Sequence, residues 1–234
     1  MIPLKDSPRA QRFPFVNIAL ILANAVVFYF ELTMGPERLA AFIEHFGLVP
    51  TRLLAVDFAS PASIVAAVGP LFTSMFIHAG WIHLLGNLLF LWIFGDNVED
   101  RLGHFGYLVF YGLVGVGAGL AHAFLTTLVS GPSAVPTIGA SGAIAGVMGA
   151  YLVLYPRARV LTLVPVVFYA WFLNIPVWFY LGIWIVMQLF TGLLDLAGAA
   201  GGVAWWAHLG GFAAGFILVW VFPKCRRHRY QTAP

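Results

Sequence analysis

The chain has little charge and a single cysteine. Only 9% of its 234 residues are charged and 61% are hydrophobic, whereas a soluble domain carries roughly 25% charged residues. This composition excludes a water-soluble protein, and we expect one membrane domain over residues 1–234. The lone Cys225 excludes an internal disulfide, and its basic neighbours Lys224, Arg226 and Arg227 favour a reducing, cytosolic setting.

Other signatures are missing as well. The Lys and Arg residues lie in short flanks beside apolar runs rather than on one basic face, so the net charge of +3 indicates a membrane surface and not nucleic acid. The sequence has no H-E-x-x-H motif and no dense set of metal ligands, so we expect no metal and no cofactor. Residues 1–15 contain no small-residue cleavage site, and we interpret the first apolar run as a retained helix rather than a signal peptide.

What remains is a succession of long apolar segments. About 20 apolar residues cross a hydrocarbon core roughly 30 Å thick, which predicts an all-α bundle of six transmembrane helices. Their expected ranges are 15–32, 81–97, 105–129, 141–155, 176–196 and 204–222. The stretch 160–176 is interrupted by Pro165 and Pro176, so we expect an interfacial or partly re-entrant connection there, with a seventh span as the alternative. Residues 34–80 then form a long first external loop, and loops of this length are usually functional or partly structured.

The distribution of positive charge predicts the orientation of this bundle. Ten Lys and Arg residues would lie on the side of the two termini, namely Lys5, Arg9, Arg12, Arg101, Arg157, Arg159, Lys224, Arg226, Arg227 and Arg229. Only Arg38 and Arg52 would lie on the opposite side. The positive-inside rule therefore places an N-terminal segment, 1–13, and a basic tail, 223–234, in the cytoplasm.

Ser141 and His208 are predicted to lie at the same depth in the membrane. Ser141 comes 16 residues before Arg157, and His208 comes 16 residues before Lys224. If both cations mark the cytoplasmic surface, each polar residue stands about 24 Å above it. Polar side chains inside a membrane usually face a cavity or each other, so a common depth indicates a joint site.

Two stripes of small residues predict that the fourth and sixth helices pack closely. The stripes are Ser141, Ala145 and Gly149 on one helix and His208, Gly211 and Gly215 on the other; Gly139, Gly142, Gly211 and Gly215 are expected to support the packing. Such contact would bring the Ser141 hydroxyl within reach of the His208 imidazole. A histidine in that position can take the serine proton during attack on a carbonyl.

The second helix supplies candidate donors for an oxyanion. His83 and Asn87 lie four residues apart on one helical face. Asn87 comes 14 residues before Arg101, which puts it roughly 21 Å above the cytoplasmic surface, with His83 about one turn higher. We expect Asn87 and the backbone N–H of Ser141 to donate to the oxyanion, with His83 as a third donor.

Three linked motifs carry a resemblance to a known family. The strings FIHAGWIHLLGNLLFLWIFGDNVEDRLG, GASGAIAG and WWAHLGGFAAG resemble the rhomboid family of intramembrane serine proteases in sequence, order and spacing. The resemblance implies a rhomboid-like fold in which Ser141 is the nucleophile, His208 is the general base and acid, and His83 and Asn87 assist the oxyanion. It also implies cleavage of membrane-anchored proteins near the external face, through an acyl-enzyme. We expect a bacterial cytoplasmic (inner) membrane, with the site opening to the periplasmic side.

Two features depart from the family pattern. In some members an aromatic residue one turn after the serine supports the histidine ring, but this chain has Ala145 there. The orientation of His208 must therefore depend on something else. Some members also carry a Trp-Arg pair in the first external loop, and this chain does not. The loop structure, the oligomeric state and the substrate are left open.

Simpler interpretations compete for each residue. Ser141 alone can be an N-cap, His208 alone a packed histidine, and Asn87 alone a bridge between helices. For the whole protein, the alternatives are an inactive rhomboid-like binder of transmembrane segments and a small-solute transporter. The presence of both serine and histidine argues against the first, and the lack of a two-fold repeat argues against the second.

Other polar residues are assigned supporting roles. We expect His78 to be structural or interfacial rather than a zinc ligand. Asp195 is not taken as a third member of a triad, because it lies in the Gly/Ala-rich stretch DLAGAAGG. Asp96, Glu99 and Asp100 are interpreted as a solvated cluster that pairs with the adjacent arginine, rather than as an aspartyl-protease site.

Overall fold

The protein is mostly helical and has one small sheet. The computed structural model describes residues 1–166, 169–196 and 203–223, so most of the basic tail lies outside the described residues. The helices are α1 (Phe15–Thr33), α2 (Pro36–Phe46), α3 (Pro50–Leu54), α4 (Pro61–Val68), α5 (Pro70–Thr73), α6 (Trp81–Leu102), α7 (His104–Ser130), α8 (Ser141–Leu154), α9 (Val177–Leu196) and α10 (Trp205–Leu218). The strands are β1 (Ile2–Asp6), β2 (Arg159–Val166) and β3 (Tyr169–Pro176).

The lengths of the helices identify an integral membrane protein. Three helices, α1, α7 and α9, are long and apolar enough to cross a bilayer. The loop helices before α6 meet it at a bend of 82°, and that bent pair is a further candidate span. Helices α8 and α10 are apolar but have only 14 residues each. They are about 21 Å long, so the helical part of each is shorter than a roughly 30 Å hydrocarbon core.

Helix α8 forms the centre of the bundle. All residues from Gly142 to Tyr151 are buried, and α6, α7, α9 and α10 all contact the helix. A helix that is apolar on every side is expected in such a central position. Its first residue, Ser141, is therefore held by packing on several sides.

Helices α8 and α10 touch through their backbones. A Cβ atom built on Gly211 would overlap the carbonyl oxygen of Gly142, and one on Gly215 would overlap that of Gly146. The close packing of these two helices is confirmed, but the stripe on α8 is Gly142, Gly146 and Gly149 rather than Ser141, Ala145 and Gly149. Two of the three positions are shifted by one residue. The Ser141 side chain points toward His208 rather than into the contact between the two backbones.

The long segment between α1 and α6 is a packed unit and not an open loop. Each of its four prolines is the first residue of a short helix, α2 to α5. Proline suits this position because its missing N–H would have no partner there and its φ is already helical. Leu48, Leu53, Ala67 and Leu71 from this segment form a small apolar core with Ala123 of α7.

The stretch 160–176 forms a β-hairpin, so the fold is mostly helical rather than all-α, while an interfacial or partly re-entrant position of this connection stays a prediction. Strands β2 and β3 pair antiparallel, and β1 adds to the other edge of β2. The stretch is rich in β-branched and aromatic residues, which fit a pleated surface. Pro165 is the last but one residue of β2 and Pro176 ends β3, so neither interrupts the middle of a central strand.

Asp6 at the end of β1 fastens the sheet to the bundle. Its Oδ2 accepts the hydroxyl of Tyr151 at 2.5 Å and the side-chain amide of Asn97 at 2.8 Å. Burial raises the pKa of Asp6 to about 7, and the bond from Tyr151 opposes part of that rise. Because Tyr151 lies near the C-terminal end of α8, this contact places the sheet at the end of α8 opposite Ser141.

The acidic group at the end of α6 differs from expectation. Glu99 is buried, and its carboxylate accepts the amide N–H groups of Val16 and Asn17 at 3.0 and 2.7 Å. A carboxylate there satisfies two free amides in the first turn of α1, where the helix dipole favours negative charge. Arg101 lies over the ring of Tyr155, 5.8 Å from its centre. The interpretation of Glu99 as part of a solvated, arginine-paired cluster is therefore wrong.

Candidate active site

Ser141 is the first residue of α8, and its hydroxyl faces α10. The distance from Ser141 Oγ to His208 Nε2 is 2.7 Å. The N-cap position belongs to Ala140, and no side chain caps the helix. The N-cap interpretation of Ser141 is therefore wrong, and the predicted proximity of the two groups is confirmed. The free N–H groups of the first turn of α8 also lie at this end of the helix.

Gly139 shapes the turn that leads into α8. Its φ is +121°, its N–H donates to the carbonyl of Ser74 at 2.8 Å, and a Cβ there would lie 2.6 Å from the ring of His83. Glycine is required because that conformation is strained for other residues and because the ring leaves no room. Gly139 was expected to support the packing between helices. It instead supports the turn beside His83.

His208 is held by side chains of α9 and by its own helix. Its Nδ1 lies 2.6 Å from Oε1 of Gln188, and only 9% of the residue is exposed. A carboxamide oxygen can only accept, so Nδ1 carries a proton and Nε2 accepts the Ser141 hydroxyl. The rings of Trp184 and Trp205 are centred 5.9 and 6.0 Å from the imidazole. These contacts supply the orientation that Ala145 cannot.

Asn87 is oriented by His78. The carbonyl of Phe76 lies 3.2 Å from His78 Nδ1, so that nitrogen donates, and His78 Nε2 accepts from Asn87 Nδ2 at 2.9 Å. Asn87 keeps a second N–H on the same nitrogen. The backbone N–H of His78 is itself bound by the buried carboxylate of Glu31 at 3.2 Å. His78 thus has a structural contact, as expected, and it is a contact to a candidate site residue.

His83 presents one ring nitrogen to the same space. The backbone N–H of Ala79 donates to His83 Nδ1 at 3.3 Å, so the proton of a neutral ring is on Nε2. The ring centres of His83 and His78 are 5.0 Å apart. His83 and Asn87 can therefore both donate a hydrogen bond toward Ser141.

One cavity joins these groups. Its volume is about 830 Å³, and it is lined by His83, Asn87, Ser141, Trp184, Gln188 and His208 among others. This size lies within the range of sites that bind small molecules or short chain segments. The four residues that depth arithmetic put at one level thus share one cavity. The described part of the chain contains no group of three His, Cys, Asp or Glu placed to hold a metal, and the side chain of Asp195 lies outside it.

Gln188 was missed by reasoning from the sequence. It lies in the middle of α9, between apolar residues, and a carboxamide inside a membrane helix needs a partner. That signal is present in the sequence. Its partner could not be named, because the relative rotation of α9 and α10 is not encoded in either segment alone.

The chain is similar in sequence to known rhomboid proteins. The family model of the Rhomboid domain matches residues 66–225. The chain is 34% identical over 158 residues to Rhomboid-like protein 11, chloroplastic, of Arabidopsis thaliana, covering 65% of this chain and 51% of the relative. It is 32% identical over 167 residues to Rhomboid protein 1, mitochondrial, of Saccharomyces cerevisiae, covering 68% and 44%. RHOMBOID-like protein 1 of Arabidopsis thaliana is 29% identical over 238 residues, covering 90% and 54%.

The chain spans about half the length of these curated relatives. The matched range contains all three of the linked motifs, including Ser141 and His208. Since the family model covers more than half of the chain and the cavity unites the residues of those motifs, the chain belongs to the rhomboid family.

Proposed function

We propose that this protein is an intramembrane serine endopeptidase that cleaves membrane-anchored proteins. Rhomboids are a family of intramembrane serine proteases. The observation that carries the proposal for this member is the 2.7 Å hydrogen bond between Ser141 Oγ and His208 Nε2 on the wall of the cavity. A serine hydroxyl is a weak nucleophile until a base takes its proton, and this geometry supplies that base.

The proposed reaction has two halves. Ser141 Oγ attacks the carbonyl carbon of the substrate peptide while His208 Nε2 takes the hydroxyl proton. The same nitrogen then returns the proton to the leaving amine, and the substrate carbonyl remains bound to Ser141 as an ester. Water attacks that ester while His208 Nε2 takes its proton, and the same nitrogen returns this proton to Ser141 Oγ as the acid leaves, which regenerates the serine.

The negative charge of each tetrahedral intermediate needs donors. The backbone N–H of Ser141, the free N–H of Asn87 and the Nε2–H of His83 are assigned to this role. The N-terminal end of α8 adds the positive end of a helix dipole. Asn87 is held by its hydrogen bond to His78, and His83 is held by the hydrogen bond from the backbone N–H of Ala79. Donors fixed in advance stabilise charge without a cost of reorganisation.

We further propose six membrane crossings, made by α1, α6, α7, α8, α9 and α10. Both termini are then cytoplasmic, because ten of the twelve Lys and Arg residues fall on their side. The cavity opens toward the opposite, external face. Two of the relatives are named chloroplastic and mitochondrial, so this orientation rests on the charges and not on family membership.

Labelling with a fluorophosphonate probe tests the nucleophile directly. We expect the detergent-solubilised protein to form a covalent adduct on the peptide that contains Ser141, identified by mass spectrometry. Ser130, exposed at the end of α7, is an internal control and should carry no label. Heat-denatured protein should not react, because only the folded chain places His208 beside the hydroxyl. A folded protein that stays unlabelled would instead be a binder of transmembrane segments.

A further inference from the structure

We propose that Gln188 is a positioning residue for the reaction. Its side-chain oxygen accepts the Nδ1 proton of His208 at 2.6 Å, which holds the ring in the tautomer whose Nε2 can receive the proton of Ser141. This inference rests on the proposed serine-protease function. Gln188 does not exchange a proton at any step; it acts only through the imidazole.

The surroundings of Gln188 support this role. Gln188 and His208 are both buried, so water competes poorly for Nδ1 and for the amide oxygen. Trp184, one turn earlier on α9, lies beside the same ring. One face of α9 therefore supplies both a hydrogen-bond acceptor and an aromatic contact. The imidazole is directed at Ser141 from a neighbouring helix.

The chemistry requires an acceptor at this place. A neutral imidazole carries one proton, and if it moved to Nε2 that nitrogen could no longer act as the base. When Nε2 takes the proton of Ser141, the ring becomes a cation with a proton on each nitrogen. The oxygen of Gln188 then continues to accept from Nδ1, and its partial negative charge stabilises the cation. No charged group is needed.

Substitution of Gln188 by methionine removes the acceptor and keeps an unbranched side chain. We expect the turnover number for a membrane-anchored substrate to fall about tenfold to 100-fold, as for hydrogen-bond partners behind metal-bound histidines. The KM and the unfolding temperature should stay nearly unchanged. Gln188→Glu keeps an accepting oxygen and should retain most of the activity. Met187→Leu, at an exposed neighbour on the same helix, is the matched control.

Nitrogen NMR of protein labelled with ¹⁵N-histidine gives a readout that does not depend on activity. In the parent protein, His208 should show a protonated Nδ1 and an unprotonated Nε2, assigned by comparison with His208→Ala. Gln188→Met, or Gln188→Leu if the first variant folds poorly, should mix the two tautomers. An unchanged tautomer, or a turnover number within twofold of the parent, would refute the role of Gln188. An inactive parent with the expected tautomer shift would refute the proposed function and leave the positioning contact intact.

A second, independent observation concerns the sheet. Tyr169, Trp171, Leu173 and Ile175 share one face of β3, since side chains alternate along a strand. Their exposed fractions are 74%, 58%, 41% and 9%, so exposure rises steadily with distance from α9, which begins at Val177. This face is covered by the helix bundle near Ile175 and extends beyond the edge of the bundle toward Tyr169.

The neighbouring strand confirms which way this face points. Val160 and Thr162 of β2 pair with Ile175 and Leu173, and both are fully buried. Beyond its edge, a membrane-embedded bundle meets lipid within the bilayer and water outside it. Because β3 leads directly into the membrane helix α9, the exposed part of the face lies near the membrane surface. Tyrosine and tryptophan are the residues enriched at that level.

We infer that the outer part of this face, Tyr169, Trp171 and Leu173, lies on the bilayer interface at the end of the bundle opposite Ser141. Lipid contact continues there from the membrane-facing surface of α9. The sheet would then help to fix the height of α8 in the bilayer, because Asp6 of β1 is bonded to Tyr151 of α8.

Fluorescence quenching in vesicles of brominated phosphatidylcholine tests this contact. The emission lost in Trp171→Phe, compared with the parent protein, reports Trp171 alone among the eight tryptophans. We expect this component to be quenched by bromine placed near the top of the acyl chains and to be protected from aqueous iodide. The matched control moves the indole to the opposite face, as Trp171→Phe with Phe172→Trp. Phe172 is 63% exposed, and an indole there should be quenched by iodide.

Two results would refute the lipid contact. Quenching of Trp171 by iodide and not by bromolipid would mean that this face is in water. Quenching by neither reagent would mean that another protein surface, such as a second copy of the chain, covers it.

Discussion

Replacing either Ser141 or His208 by alanine is expected to lower the rate of substrate cleavage by about 10⁴-fold or more, and replacing both should lower it no further. The reason is that the two groups act as one unit, joined by a single hydrogen bond of 2.7 Å. Without the imidazole the hydroxyl keeps its proton, and without the hydroxyl the imidazole has nothing to activate. The first substitution therefore removes the whole contribution of the pair to the cleavage rate, and the second has nothing further to remove.

The measurement is the cleavage rate of a fluorogenic transmembrane substrate by the purified single and double variants. Ser141→Ala should leave the unfolding temperature close to that of the parent, because this side chain caps no helix. Leu189→Ala, at an exposed position on α9, controls for changes in a membrane helix outside the cavity. Losses that add in the double variant would mean that serine and histidine act separately. Full activity in either single variant would exclude the proposed mechanism.

The shared level of Ser141 and His208 was the part of the site that could be predicted from the sequence. The rise of an α-helix is fixed at about 1.5 Å per residue, so counting from flanking cations places Ser141 and His208 on one level. Glycine at regular intervals then indicates which helices approach closely. The first inference uses one helix at a time and the second uses one pair of helices. Neither needs the positions of the other elements.

Rotation about the helix axes could not be predicted in the same way. The partnership of Gln188 with His208, and that of His78 with Asn87, depends on which faces of separate elements meet. The α8 stripe was misplaced by one residue for the same reason. A sequence shows that a buried polar group must have a partner, but the identity of the partner follows from packing over the whole bundle.

The predictions for the polar groups at the helix ends and for the sheet were wrong because hydropathy alone does not show what a residue contacts. A hydropathy reading treats Glu99 as a solvated charge, although two amides of α1 use it as an acceptor. The same reading treats prolines as interruptions. Here Pro36, Pro50 and Pro61 each begin a helix, whereas Pro176 ends a strand. Proline favours a helix at its first position and breaks or kinks a helix in its interior. Only the neighbouring residues decide which effect applies.

The second large effect is expected at the contact between α8 and α10. Substitution of Gly215 by valine places a branched side chain where a Cβ atom alone would overlap the carbonyl oxygen, the carbonyl carbon and the Cα of Gly146. The obstacle is backbone and cannot rotate away, so the helices must separate. We expect a loss of about 3 kcal/mol in the free energy of unfolding, at the upper end of the range for overpacked cores. Gly215→Ala should show a smaller loss of the same sign.

Separation at Gly215 should also disable the site seven residues away along α10. Gly211 and His208 lie on the same helix as Gly215, so a helix pushed away from α8 carries the imidazole away from Ser141. A displacement of 1 Å would lengthen a 2.7 Å hydrogen bond beyond the distance at which proton transfer is efficient. We therefore expect the rate of fluorophosphonate labelling at Ser141 to fall at least tenfold in Gly215→Ala, even in the fraction of protein that remains folded.

The matched control is Gly182→Ala on α9, where a Cβ atom would meet no other atom within 4 Å. Alanine is the better helix former, so this variant should be at least as stable as the parent and should label at the same rate. Both variants add one methyl group to a glycine in an apolar helix, and they differ in whether a neighbouring backbone occupies that space. Equal stability and equal labelling of the two variants would mean that α8 and α10 are not in backbone contact. The meeting of Ser141 with His208 would then require another cause.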